Sequence, residues 1–248
     1  LTLQGPAYSD DHFGGVRVDT GVYEGGEIPM FYDSMIAKLI VHGRDRVDAI
    51  EQMRQALDGF VIRGISSNIA FQSALIGHPD FARGQFNTGF IAEHYGKGFR
   101  TEEVAHDDPL FLVALAVFVR RKADSRAAGI SGQLPGHEFA QATHYVVVQM
   151  GAEGAHHHHE VAIEQYDDVT ITASVKVGER SYVIHSPTPL GEILLRGTVN
   201  GRPFCAQVER GSVKQPLTLR VAHHGASIDA MVLSPRAAEL LKLMPFKA

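Results

Sequence analysis

The residues of this chain best suited to chemistry fall between Val16 and Leu39, in the run VRVDTGVYEGGEIPMFYDSMIAKL. Arg17 closes a Gly15-Val16-Arg17 triplet. A guanidinium keeps its charge at any pH a protein meets, so it can steady an oxyanion without giving up a proton. On position alone Arg17 is an exposed strand arginine; the motif around it is what raises it above that. Tyr32, Asp33 and Lys38 follow in the run Tyr-Asp-Ser-Met-Ile-Ala-Lys-Leu. Asp33 can accept hydrogen bonds that hold the loop behind Arg17, and Lys38 can pair with a carboxylate. A structural role is expected for these three before a chemical one. Glycines 14, 15, 25 and 26 suit turns, and the Gly-Lys-Ser/Thr element of a phosphate-binding loop is absent.

Other reactive residue types are less persuasive. His156–His159 suggests a metal site, but neighbouring strand residues point to opposite faces, so only alternate histidines could share an ion. An exposed hairpin tract is expected. His223-His224-Gly225 reads as a turn. No metal-ligand set is expected in this chain. Cys205 is the single cysteine; with no evident base beside it, it is read as a packing or surface residue, and it cannot form an internal disulfide. A net charge of −5 and a pI near 6.3 argue against a general nucleic-acid binder. The longest apolar run, Leu110–Val119, is too short to cross a bilayer, and no membrane partner is expected.

The elements that must position these residues divide into two regimes. Up to Tyr95 strands and helices mix. Strands are expected over 16–22 and 37–42. Asp45 caps a helix whose face carries Val47, Ile50, Met53, Leu57 and Phe60. A short strand follows at 60–63. Ser66 or Ser67 caps a helix with Ala70, Phe71, Ala74 and Leu75 on one side, stopped by His78-Pro79, and a last helix runs from Asn87 or Thr88 to Tyr95. The polar, glycine-bearing segment 96–107 is a linker between domain 1–95 and domain 108–248. Asp107-Asp108-Pro109 starts a helix over 108–127 that is apolar on every side through Val119, so something must surround it.

After a loop at 128–142 the period changes to two. Val169, Ile171, Ala173, Val175 and Val177 alternate with polar residues, as do the 204–208, 217–221 and 228–232 stretches. Eight strands are expected over 143–233, joined by short turns such as Asn200-Gly201. A sheet curled around the helix and closed into a barrel buries both; a β-sandwich with the helix on one side is the alternative. A terminal helix over 235–243 carries Ala237, Leu240, Leu241 and Met244 on one face. The fold class is α+β.

The Val16–Leu39 pattern resembles the C-terminal lobe of biotin carboxylases, the ATP-grasp enzymes that carboxylate biotin. A helix inside an eight-stranded antiparallel barrel, placed after such a lobe, resembles the BT domain of acyl-CoA carboxylase α subunits. The closing stretch 236–245, RAAELLKLMP, is similar to the segment before the biotin carrier in α subunits of the propionyl-CoA carboxylase family. The resemblance implies ATP- and bicarbonate-dependent carboxylation of biotin for transfer to propionyl-CoA, methylcrotonyl-CoA or longer acyl-CoAs being the alternatives, with a non-catalytic assembly module as a reading of another class. It implies that Arg17 binds biotin and stabilises charge on its ureido oxygen. Biotin would be attached to a carrier domain outside this chain, and ATP and Mg would be bound mainly by residues outside it. The implied partners are that carrier domain and a carboxyltransferase β subunit, the latter contacted by Ile130, Leu134 and Pro135. The implied location is a bacterial cytoplasm or a mitochondrial matrix. The chain starts on Leu1, and Met244 and Lys247 do not match the Met-Lys-Met attachment motif. Residues 1–248 alone are therefore expected to be a fragment that neither turns over ATP nor carries biotin.

Overall fold

The computed structural model describes residues 2–4, 15–28, 31, 35–151, 156–211 and 217–243. Gly14, Tyr32, Asp33 and Met244, all singled out above, lie outside the described residues. The chain forms two compact units: residues 1–106 with 223–226, and residues 107–222 with 227–248. Among the described residues no helix is long and apolar enough to cross a membrane.

The first unit contains β1 (Thr2–Gln4), β2 (Val16–Thr20), β3 (Ala37–Val41), α1 (Arg46–Asp58), β4 (Val61–Arg63), α2 (Ile69–Gly77), α3 (Pro79–Ala82), α4 (Phe90–Tyr95) and a 3-10 turn at Thr101–Glu103. β1 pairs with β4 and β2 with β3, both antiparallel. Asp45 caps α1 as its position suggests: its Oδ1 accepts the Asp48 N–H at 2.9 Å, and Asp48 Oδ2 accepts the Arg44 N–H at 2.9 Å. Leu57 and Phe60 are buried, but Val47 is 76% exposed. At 100° per residue Val47 stands about 80° round the helix from Leu57, off the buried stripe. Asn68, not Ser66 or Ser67, precedes α2, and Ser73 and Ala74 are its buried residues. His78-Pro79 ends α2 and starts α3 at once: Pro79 takes the first turn, and His78 Nδ1 accepts the Asp80 N–H at 3.2 Å.

The second part of the chain contains α5 (Pro109–Ala128), β5 (His144–Met150), β6 (His156–Asp167), β7 (Thr172–Val177), β8 (Arg180–His185), β9 (Leu194–Val199), β10 (Arg202–Arg210), β11 (Thr218–His223), β12 (Ala226–Leu233) and α6 (Pro235–Lys242). The eight strands form one antiparallel sheet in which each pairs with its neighbours in sequence, and β12 pairs with β5 so that the sheet closes into a barrel. Asn200 and Gly201 take φ of 49° and 78° between Val199 and Arg202, the double left-handed turn that an Asn-Gly hairpin requires.

Residues Leu112–Phe118 of α5 are at most 1% exposed and share one core with Val147, Val175, Ile184, Ala206, Val221 and Ala230 from the strands. Both ends of α5 are tied by buried or half-buried polar groups. Asp108 takes the Tyr182 hydroxyl at 2.9 Å and Arg180 at 2.6 Å, and makes no side-chain cap. At the other end Asp124 accepts the Tyr145 hydroxyl at 2.9 Å and pairs with Arg120 at 2.9 Å. Burial and the neighbouring carboxylates push both tyrosines up, Tyr182 to about 12.

Three expectations need correction. Val169 is not in a strand but 92% exposed, because Asp167 Oδ1 captures the N–H groups of Val169 and Thr170 and delays β7 to Thr172. Leu217 is 70% exposed and lies ahead of β11. On α6 the buried residue is Ala238, whereas Leu240 is 55% exposed.

Candidate functional site

β2 and β3 form a two-stranded ribbon that carries Arg17, Asp19 and Lys38. Arg17 and Asp19 are two apart on β2 and so share a face. Their side chains meet in a two-point ion pair, Nε–Oδ1 at 3.1 Å and Nη2–Oδ2 at 3.4 Å. Lys38 is the register partner of Asp19. The loop leaving β2 is tied at its base: Thr20 Oγ1 donates to the Ile36 carbonyl at 3.0 Å and accepts the Val22 N–H at 3.1 Å. Arg17 is 64% exposed, and an exposed pair adds little to stability. A cleft of about 750 Å³ in the same unit is lined by Ile36, Leu39, Met53, Phe60 and Ile62 and is mainly apolar; Lys38 contributes to its wall and Arg17 does not.

The loop after α5 is built around one side chain. Gln133 Nε2 donates to the carbonyls of Ala128 and Ile130 at 2.9 and 3.0 Å, and its Oε1 accepts the Phe139 N–H at 2.5 Å. On this frame Ile130 is 62% and Leu134 71% exposed, Pro135 is exposed, and Phe139 is 41% exposed. Phe139 belongs with the other three; the same signal, an apolar residue in a polar loop, was available in the sequence.

The sequence reading missed a cluster of histidines. His106 Nε2 and His223 Nδ1 lie 2.9 Å apart, and the His223 and His224 rings stack with centroids 3.7 Å apart. Asp58 lies beside them: its Oδ1 accepts the His224 N–H at 2.7 Å, and its Oδ2 is 3.4 Å from His224 Nε2. Burial, then Arg54 and His106, bring His224 down to about 3, and burial raises Asp58. His224 is therefore a neutral imidazole at pH 7, and its approach to Asp58 is not an ion pair. A second group joins His78 and His94 to Asp80 Oδ2, at 3.9 and 3.8 Å, but Arg83 also holds that carboxylate. His156–His159 lie on β6, and His159 Nε2 meets Gln149 Oε1 at 3.2 Å. Cys205 is half-buried on β10, opposite Arg196.

Residues 112–247, more than half of the chain, match the family model described as the propionyl-coenzyme A carboxylase BT domain. The chain belongs to that family. Ahead of this BT domain, residues 6–93 match the biotin carboxylase C-terminal domain. The chain is 40% identical over 232 residues to the propionyl-CoA carboxylase alpha chain of Ruegeria pomeroyi, covering 94% of this chain and 32% of that one. It is 29% identical over 246 residues to the mitochondrial propionyl-CoA carboxylase alpha chain of Mus musculus, covering 94% and 31%. To the corresponding mitochondrial protein of Sus scrofa it is 34% identical over 164 residues, covering 66% and 21%. The chain thus spans a third or less of the length of the propionyl-CoA carboxylase relatives it matches.

Proposed function

We propose that this chain is part of the α subunit of a biotin-dependent carboxylase acting with propionyl-CoA. The observation that carries the reading is the order of the two matched families along this chain, biotin carboxylase C-terminal domain then BT domain, together with one relative that matches 94% of it. In this reading residues 1–95 are the end of the biotin carboxylase, 96–107 a linker and 108–248 the BT domain, with α5 as the central helix of the barrel.

Biotin, ATP and Mg are the groups such an enzyme uses, and biotin supplies a ureido nitrogen that accepts the carboxyl group. Arg17 suits the anionic ureido oxygen that this chemistry creates. Asp19 engages the Nε and Nη2 edge of the guanidinium, which leaves the rest of the donor fork for a ligand. Among the described residues no group in the barrel core offers comparable chemistry, so the BT domain is assigned to assembly. The loop around Gln133 is the dock for the carboxyltransferase β subunit: it presents Ile130, Leu134 and Pro135 to water on a hydrogen-bonded frame, as interface anchors require. The test is size-exclusion chromatography of the chain mixed with purified carboxyltransferase β subunit. The unaltered chain should co-elute with it, and Ile130→Asp with Leu134→Asp should abolish co-elution. Equal co-elution of the double variant removes the loop from the interface, and failure of both removes the BT-domain dock.

A further inference from the structure

His106, His223 and His224 belong to the same compact unit although 117 residues separate the first from the second. Each offers one ring nitrogen, and the three nitrogens lie within 4.8 Å of one another. The closest two, His106 Nε2 and His223 Nδ1, are 2.9 Å apart. Two imidazole nitrogens on one tetrahedral zinc ion, each about 2.0–2.1 Å from it, stand roughly 3.3 Å apart, so this pair is within a few tenths of an ångström of a ligand edge. A hydrogen bond accounts for that pair alone. The His224 ring stacks on that of His223, with centroids 3.7 Å apart.

The backbone and a carboxylate hold this arrangement. His224 takes φ of 52°, in the left-handed region, with Gly225 at 80°. Its N–H is fixed by Asp58 Oδ1 at 2.7 Å. The same carboxylate, 6% exposed, reaches the far side of both rings: Oδ2 is 3.9 Å from His223 Nε2 and 3.4 Å from His224 Nε2. His223 therefore presents Nδ1 towards His106 and Nε2 towards a carboxylate. Metal-bound histidines characteristically give their second nitrogen to such a partner, which sets the tautomer and the ring direction.

We propose that His106, His223 and His224 form a binding site for a divalent transition metal of the zinc class, with Asp58 orienting the rings and water completing the coordination. Three imidazoles favour zinc over magnesium or calcium, which take oxygen ligands. The site would staple the segment before α5 to the β11–β12 turn.

The test uses Zn2+ and its spectroscopic substitute Co2+ on the chelator-treated 248-residue chain. The surface tract is first silenced by His156→Gln, His157→Gln, His158→Gln and His159→Gln. One equivalent of Zn2+ should bind and raise Tm by roughly 3 °C or more at saturation. Co2+ should give the intense visible bands of a four-coordinate site. His106→Gln and His223→Gln should each abolish the bands and the Tm rise, whereas His94→Gln, in the second histidine group, should leave both. The proposal is overturned if the tract-silenced chain shows only the weak spectrum of six-coordinate cobalt. It is equally overturned if His106→Gln, which alters no residue of the turn, binds Zn2+ as tightly as before.

Discussion

Asp19 pairs with one edge of the Arg17 guanidinium, and the proposed role of Arg17 in binding the ureido oxygen can be tested by substitution. In the complete enzyme, Arg17→Ala should lower the rate of biotin carboxylation roughly 100-fold or more, the scale of losing a preorganised contact to developing negative charge. Arg17→Lys should also be impaired, because an ammonium cannot reproduce the two-point fork. Tm should hardly move in either variant, since the pair is exposed. Carboxylation assayed with free biotin, alongside thermal melts, checks both statements; near-normal turnover in Arg17→Ala returns the residue to a surface role. Arg17 stands out in the sequence through a local signal, a triplet followed by a recognisable run. The histidine cluster offers no such signal. His223-His224-Gly225 does form the turn its composition suggests, and only folding brings His106 and Asp58 to it.

Among the elements, α5 was the easiest to read, the expected span 108–127 lying within one residue of Pro109–Ala128 at each end. Apolar residues on every side announce burial, and Leu112–Phe118 are buried without exception. Asp108 opens the helix as expected, but its side chain makes no cap and is held instead by Tyr182 and Arg180, partners more than 70 residues downstream. The strands followed from alternation except where a side chain intercepted the ladder, as Asp167 does before β7. Ala116→Asp would place a carboxylate where exposure is 0%, at a cost of several kcal/mol, a large share of the roughly 5–15 kcal/mol typical of a domain. The barrel's calorimetric transition should be lost or fall steeply. The transition of the first unit, which has its own buried residues Leu57, Phe60 and Val61, should remain. An unchanged barrel transition would mean that α5 does not fill the barrel.

At the scale of the whole molecule, stability should depend on acid through His224. Its ordinary value of 6.5 falls to about 3 in the fold, so the unfolded chain takes up the proton first. The contribution is complete above pH about 6.5 and is lost as pH falls towards 3, amounting to on the order of 3 kcal/mol by pH 4. Asp58, pushed up by burial, acts in the opposite sense: its contribution is present at low pH and declines as pH rises through its raised value. Of the groups facing His224, Arg54 and His106 reinforce its shift, and Asp58 and His223 pack against it. Denaturant melts of the chelator-treated chain from pH 7 to 4 should show His224→Gln losing less stability than the unaltered chain; parallel curves would remove His224 from the acid response of the metal-free protein. The closure of the barrel through β5 and β12 has a consequence for synthesis. A ribosome releases the oily α5 first and the strand that completes its cover about 100 residues later, which at roughly 5–20 residues per second leaves a helix without shelter for about 5–20 s. Until the last staves are in place, the nascent chain must either fold provisionally around α5 or be held by a chaperone, and an interrupted message ending before β12 would yield an adhesive polypeptide rather than a smaller barrel.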